Sequence, residues 1–212
     1  MKVLELFAGT KSIGKEFIAK GYEVFSVEWD KKFKDIQLYA DIEFIEPKDI
    51  PFIPDILWAS PDCTTYSVAG LRYHRKGQEA ISDYAKKSDK VNINLWKLID
   101  YFLEQNPNMI YFVENPRGMY RKMWFTNDKP RQTVTYCQYG DTRMKPTDIF
   151  TNHPDPNFKP PCKNGDTCHV SAPRGSSAKG TTQGLAKVDR SKIPQELCQY
   201  IVEISEQYDQ KN

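Results

Sequence analysis

The sequence predicts an α/β fold: a mostly parallel sheet with helices on both faces and a small irregular insertion. Three observations point there. Short apolar runs alternate with stretches of helical spacing over the first 150 or so residues, the pattern of strand–helix–strand crossovers. The first run stops in a small-residue turn, Ala8-Gly9-Thr10-Lys11-Ser12, the kind that joins a strand to a helix. Two later runs stop abruptly and hand the chain to reactive side chains. One, Asp55 to Ala59, leads through Ser60-Pro61-Asp62 to Cys63, and the other, Met109 to Val113, leads to Glu114-Asn115-Pro116. An open α/β sheet places its chemistry outside the carboxyl ends of its strands.

The elements follow in order. Lys2 to Phe7 reads as a buried strand, and Ile13 to Lys20 as a short helix stopped by Gly21. Tyr22 to Val27 is a second strand, ending in Glu28-Trp29-Asp30. A weak strand near Gln37 to Ala40 precedes Asp41-Ile42, and Asp55 to Ala59 is the next. Lys90 to Glu104 is the longest helix, with Val91, Leu95, Leu98, Ile99 and Phe102 on one face. Met109 to Val113 and Gln132 to Tyr136 are further strands. Lys192 to Tyr208 is a closing helix, with Pro194 in its first turn and Leu197, Ile201, Ile204 and Tyr208 as its apolar stripe. Between them, residues 152–190 hold five prolines and four glycines and few aliphatic side chains. The expected division is therefore a main domain over 1–151 and 191–212, with a small irregular region at 152–190.

Composition narrows the class. A chain of 212 residues with 39% hydrophobic and 13% aromatic side chains can bury one ordinary core. No apolar run nears the ~20 residues of a membrane span, and the first residues read as a strand rather than a signal peptide. The expectation is a soluble cytoplasmic protein without a membrane partner. Thirty Lys and Arg against 28 Asp and Glu leave a net charge of +2, too little to announce a nucleic-acid partner. Five cysteines, an odd number, argue for free thiols or a metal site over a disulfide framework.

Strand, glycine turn, helix, strand, acid is the order of a nucleoside site. Gly9 lets a ligand approach the backbone, Glu28 can accept from a ribose diol, and Trp29 can lie against a purine ring. Gly14 falls five positions after Gly9, so this is not the dinucleotide glycine pattern. A plain turn with a solvated acid accounts for the same residues. Cys63, read alone, is as readily a small buried hydrophobe as a nucleophile. Paired with Glu114-Asn115, it suggests covalent catalysis with a positioned acid. The segment from Thr64 to Lys90 reads as a mobile loop, with six Lys or Arg against three acids from Arg72 onward. There Arg72, Arg75 and Lys76 are candidates for gripping phosphates, and Tyr66 or Tyr73 for stacking on a base; a solvated loop of mixed charge is the alternative. Cys162, Cys168 and His169 place three soft ligands within eight residues, with His153 near enough to be a fourth, so zinc competes there with free thiols. Cys137 and Cys198 read as core.

These residues resemble a known family. Leu4-Glu-Leu-Phe-Ala-Gly9 is similar to the first motif of DNA cytosine-5 methyltransferases, Ser60-Pro61-Asp62-Cys63 to their Pro-Cys nucleophile motif, and Glu114-Asn115-Pro116 to their Glu-Asn motif. The motif order and the acid at Glu28 match as well. Cys137-Gln-Tyr-Gly140, leading to Lys145-Pro-Thr-Asp-Ile-Phe150, resembles compact bacteriophage-encoded members. The resemblance covers residues 1 to about 150 well and 190–208 loosely. It implies a Rossmann-like fold and S-adenosylmethionine held by Phe7, Ala8, Gly9, Thr10, Glu28, Trp29, Asp41, Ile42 and Pro61. It implies DNA as partner, in a bacterial or infected host cell, with the target base flipped from the stack. Cys63 would add to carbon 6 of cytosine, Glu114 would hold or protonate N3, and Asn115 would fix that carboxyl group or bond the base. Arg143 and Lys145 fall in the slots of the family's Gln-x-Arg-x-Arg motif, with Thr147 in the last slot. The chain departs from the pattern at Asp62, a charge beside the thiol where a small residue is usual, and lacks the closing Gly-Asn-Ser. Two other readings stay open: the same core acting on RNA or a free nucleotide, and a relative that binds DNA without turnover.

Overall fold

The computed structural model describes residues 1–171 and 183–210. In chain order the strands are β1 (Lys2–Leu6), β2 (Glu23–Glu28), β3 (Leu38–Tyr39) and β4 (Ile56–Ala59), a ribbon of β5 (Arg75–Lys76) and β6 (Glu79–Ala80), then β7 (Ile110–Pro116), β8 (Arg131–Thr135) and β9 (Pro146–Thr151). The helices are α1 (Ser12–Ala19), α2 (Leu71–His74), α3 (Asp83–Gln105), α4 (Lys187–Ser191) and α5 (Gln195–Asp209). Seven strands form one sheet in the order β3-β2-β1-β4-β7-β9-β8. The pairs β2–β3, β1–β2, β1–β4 and β4–β7 are parallel. β9 runs against both of its neighbours. This is the expected mostly parallel sheet, with the order of winding reversing between β1 and β4.

Each face of the sheet is covered. On one, α3 packs Leu95, Leu98, Ile99 and Phe102 over Leu4, Leu57, Tyr111 and Val113. On the other, α1 and α5 bring Ile13, Phe17, Leu197, Ile201 and Val202 onto Val3, Ile56, Ile110 and Ile149. The central strands β1 and β4 are apolar on both faces because both faces are roofed. The exception is Glu5, buried in β1, whose carboxyl group accepts from Gly14 N (2.9 Å) and Ser26 Oγ (2.9 Å). Burial pushes its pKa up. Those bonds tie β1 to α1 and β2, and a side chain on Gly14 would run into the same carboxyl group.

Four elements differ from the sequence expectation. α3 starts at Asp83, not Lys90, because the Ser82 side chain accepts from Ala85 N (3.1 Å) and caps it seven residues earlier. The segment expected to be a mobile loop contains α2 and the β5–β6 ribbon. β9 is an addition to the expected strands, since Asp148 interrupts its apolar run. That aspartate is buried, held by Arg121 Nε (2.7 Å) and Thr133 Oγ1 (2.8 Å). Pro194 stands at the N-cap of α5, one position before its first turn. Among the described residues of 152–190, α4 is the one regular element; residues 172–182 of that region lie outside the description. No helix among the described residues is long and apolar enough to cross a membrane.

Candidate active site

One register row fixes where the chemistry gathers. Leu38, Val27, Leu6, Ala59, Val113 and Phe150 stand side by side across β3, β2, β1, β4, β7 and β9. The parallel strands all leave this row in the same direction. Phe7-Ala8-Gly9, Glu28-Trp29, Ser60 to Cys63 and Glu114-Asn115 therefore emerge along one edge of the sheet. Glu114 and Asn115 are still within β7, because antiparallel pairing with Ile149 and Asp148 of β9 carries the strand on to Pro116.

The nucleophile and acid motifs are joined directly. Asn115 Nδ2 donates to Pro61 O at 3.0 Å, from β7 to the loop that carries Cys63. Asn115 Oδ1 is buried and has no hydrogen-bond partner among the described residues. The carbonyl of Cys63 accepts from Tyr66 N (3.0 Å) and Ser67 N (2.8 Å), fixing the turn after β4. Asp62 Oδ1 accepts from Thr64 N at 2.6 Å. The Cys63 thiol is pushed up to about 11. Burial is the main cause; the Glu114 and Asp62 carboxyl groups push the same way, and the Lys145 ammonium opposes them.

Glu114 is buried and accepts from the Tyr136 hydroxyl at 2.8 Å. Burial and then the Glu114 charge hold the Tyr136 hydroxyl well above its usual range, so it remains a donor. In the sequence Tyr136 is only the end of a strand. Its role depends on a partner 22 residues away, and no local signal marks it. Lys145, in the β8–β9 turn, stands over the Tyr136 ring with Nζ 4.4 Å from the centroid. Nζ also donates to Arg190 O at 3.2 Å. Cys63, Glu114, Asn115 and Lys145 thus lie together at this edge of the sheet. Arg143 is not free to join them. It is buried, and Asp141 accepts from its backbone N (2.7 Å) and its Nε (2.9 Å), while its Nη1 donates to Arg190 O (3.3 Å). Its guanidinium holds the turn.

The edge beside β1 and β2 has the features of a nucleoside cradle. Phe7, Gly9 and Lys11 all adopt positive φ (56°, 49° and 57°), which winds the chain tightly between β1 and α1. Ala8 N bonds Val27 O (3.1 Å) and Thr10 Oγ1 lies 3.1 Å from Ser12 Oγ. Glu28 is buried, and its carboxylate braces the turn by accepting from Gly9 N (2.9 Å), Trp29 N (3.0 Å) and Asp30 N (3.0 Å). Trp29 is 68% exposed, an unusual position for an indole unless something covers it. Asp41 caps the next turn by accepting from Glu43 N (3.0 Å) and pairs with Lys87 (2.7 Å); Ile42 is buried behind it. Pro61 closes the row at β4.

Two of the expected nucleic-acid contacts are corrected. Tyr66 is fully buried, stacked edge-on against Tyr120, with its hydroxyl donating to Asp89 (2.8 Å). Arg75 is buried as well. It lies over the Tyr66 ring (4.2 Å), donates to Thr65 O (3.0 Å) and pairs with Asp89 (2.5 Å). Both belong to the support under the Cys63 loop, and neither can reach a phosphate or a base. Arg72, Tyr73 and Lys76 are exposed. Trp124, also exposed, carries no motif that would mark it in the sequence; its backbone N bonds Gln78 Oε1 (3.1 Å), which places it beside the same ribbon.

The cysteine cluster is also corrected. Cys137, Cys162, Cys168 and His169 bring one ligand atom each to within 4.8 Å of one another. Cys137, expected in the core, is buried but turns its sulfur to this cluster. His153 is not part of it: its ring stacks on Phe112 and its Nε2 lies 3.3 Å from Ile204 O.

A family profile described as C-5 cytosine-specific DNA methylase matches residues 1–123. No curated protein matches the chain. Among solved structures, a Dnmt2 methyltransferase from S. pombe superposes with a TM-score of 0.50 at 11% identity, over 71% of this chain and 48% of that one. A DNMT2 variant from Spodoptera frugiperda gives 0.49 at 16% identity, over 84% of this chain and 57% of that one. The chain thus spans about half the length of these structures. At such identity the first likeness shows the fold, that of a Rossmann-like methyltransferase.

Proposed function

The chain belongs to the C-5 cytosine-specific DNA methylase family, and from that premise we propose that it transfers a methyl group from S-adenosylmethionine to carbon 5 of cytosine in DNA, through a covalent adduct with Cys63. The observation that carries the proposal is the bridge from Asn115 to Pro61, which sets the sulfur-bearing loop and the acid-bearing strand side by side.

S-adenosylmethionine supplies an electrophilic methyl group on a sulfonium. The cradle fits it: a glycine turn with positive φ, a buried carboxylate at the end of β2 for the ribose, and the exposed Trp29 ring for the adenine. The target carbon is the harder problem, because carbon 5 of cytosine is a poor nucleophile. Cys63, as thiolate, forms a bond from sulfur to carbon 6, and the electron pair of the 5,6 double bond moves to carbon 5. Glu114 donates a proton to N3 as that charge develops, and the Tyr136 hydroxyl holds its carboxyl group in place. Asn115 Oδ1, buried without a partner among the described residues, is suited to accept from the exocyclic amino group of the base. After the methyl group has joined carbon 5, leaving the donor as a thioether, the carbon-5 proton passes to a base, its bonding pair re-forms the 5,6 double bond as the sulfur–carbon bond breaks, the N3 proton returns to Glu114, and Cys63 leaves as thiolate. The Lys145 ammonium lowers the cost of that thiolate. The reacting carbons are unreachable in a stacked duplex, so the base must be extruded or already unpaired.

DNA carrying 5-fluorocytosine tests the mechanism, since fluorine cannot leave as a proton does and the adduct persists. The expected result is a covalent complex resistant to denaturation, abolished in Cys63→Ser. A Cys63→Ser variant that methylates like the parent would overturn the mechanism. Competition among duplex DNA, RNA and dCMP then separates DNA from the other substrates. A protein that binds DNA but neither traps nor methylates is the non-catalytic relative.

A further inference from the structure

We propose that Cys137, Cys162, Cys168 and His169 form a closed, structural zinc site that clamps the 152–171 segment to the turn carrying Tyr136. This goes beyond the methyl-transfer reading and does not rest on it. The donor set is three thiols and one imidazole, a set that divalent zinc favours in four-coordinate structural sites. In a tetrahedron with zinc–sulfur bonds of about 2.3 Å and zinc–nitrogen bonds of about 2.0 Å, the edges are roughly 3.5–3.8 Å. Three edges in the structure have this length: Cys137 Sγ to Cys168 Sγ at 3.7 Å, Cys162 Sγ to His169 Nδ1 at 3.6 Å, and Cys168 Sγ to His169 Nδ1 at 3.5 Å. Cys137 Sγ and Cys162 Sγ are closer, at 2.8 Å. That is too long for a disulfide, whose sulfurs lie about 2.05 Å apart, and an ion between them would spread the edge.

The surroundings match a built site. His169 turns Nδ1 to the sulfurs, while its other nitrogen, Nε2, meets Ser171 Oγ at 3.3 Å. That second contact orients the ring, as outer partners of ligating histidines do. Gln138 Nε2 points at Cys168 Sγ (3.7 Å), a donor suited to a thiolate. A turn around Gly165, with Lys163 N bonding Asp166 Oδ2 (2.7 Å), folds Cys168 back toward Cys162. The segment otherwise lacks a core of its own, and a metal is a common substitute. Cys137 is the ligand the main domain contributes. It directly follows Tyr136, which holds Glu114, so the ion would fasten the insert to the edge of the catalytic site. Val170 N bonds Thr142 O (2.9 Å) on the same turn.

Binding one zinc ion releases three thiol protons, and His169 coordinates as the neutral imidazole with its remaining proton on Nε2; no oxidant or reductant is involved. The test uses the full chain purified under reducing conditions. The expected result is about one zinc per chain by elemental analysis after gel filtration, and, with cobalt(II) in its place, the intense absorption of tetrahedral thiolate coordination. Cys162→Ser and Cys168→Ser should each lose most of the bound metal, whereas Cys198→Ala, buried outside the cluster, should retain it. Circular dichroism on each variant separates lost coordination from lost folding, and the exposed Cys168 can be replaced without disturbing the core. Protein that stays metal-free after zinc is added would overturn the proposal. So would cobalt lacking thiolate bands, or an intact mass showing that Cys137 and Cys162 are oxidised to a disulfide in the native protein.

Discussion

Cys63 has its thiol held near pKa 11 by burial, with Glu114 and Asp62 adding to the burden and Lys145 relieving it. The thiolate is the anion, so removing a neighbouring negative charge lowers the pKa and removing a positive one raises it. Asp62→Asn should therefore shift the pH dependence of Cys63 alkylation to lower pH, and Lys145→Gln to higher pH. At a fixed pH below the pKa, the alkylation rate should rise in the first and fall in the second, each by roughly threefold to tenfold. Iodoacetamide labelling across a pH series, read at Cys63 by peptide mass, checks both. Equal profiles in the two variants would mean that neither charge reaches the sulfur. The Asp62 effect was legible in the sequence, since adjacency alone brings that charge near. The motif placed Lys145 in the site, but nothing in the sequence tied it to the thiol, because 82 residues of chain separate it from Cys63.

The elements that carry the motifs were readable for a simple reason. β4, the first half of β7 and, apart from Glu5, β1 are apolar on both sides; β1 stops at the Gly9 turn and β4 at Ser60-Pro61, whereas β7 runs on through Glu114 and Asn115 because β9 pairs with them. The two-residue strands β5 and β6 carry no periodicity, and β9 is disguised by its buried Asp148. The Thr64–Lys90 segment misled for a different reason. A tyrosine and an arginine among charges look solvent-facing, yet Asp89, inside α3, draws Tyr66 and Arg75 beneath the Cys63 loop. This division of labour is testable. Arg75→Ala strands Asp89 and should cost about 2–3 kcal/mol of stability, the lower end for a buried pair because Asp89 is partly exposed. The double variant Arg72→Ala, Lys76→Ala should leave the melting temperature unchanged. It should reduce the slope of log affinity against log salt by about 0.9 for each duplex phosphate that is no longer neutralised. Thermal melts and salt titrations of the parent and both variants decide it. A stable Arg75→Ala with a reduced salt slope would return Arg75 to the binding surface.

At the scale of the whole molecule, the sheet is closed by residues far from its start. α5 lies against α1, and Tyr22 donates to Glu206 (2.9 Å) across 184 residues. The same helix holds the insert: Tyr200 donates to Asn157 O (2.7 Å), and His153 stacks between Phe112 and Tyr208. One apolar cluster runs from Val3 and Ile13 through Ile110 to Ile201 and Ile204, so the core of the face opposite α3 is incomplete without α5. Ile201 sits in the middle of it, fully buried. Ile201→Ala removes three methyl-sized groups from a packed site and should cost about 2–5 kcal/mol, depending on how far the cavity collapses. Because the sheet is shared by both faces, the loss should appear as one earlier transition. Helix content, tryptophan fluorescence and exposure of the Cys63 thiol should change together. If α5 instead detached alone, helix signal would fall first while the Cys63 thiol signal stayed unchanged. The coincidence of those three probes thus measures whether the closing helix is part of the catalytic domain or an appendage to it.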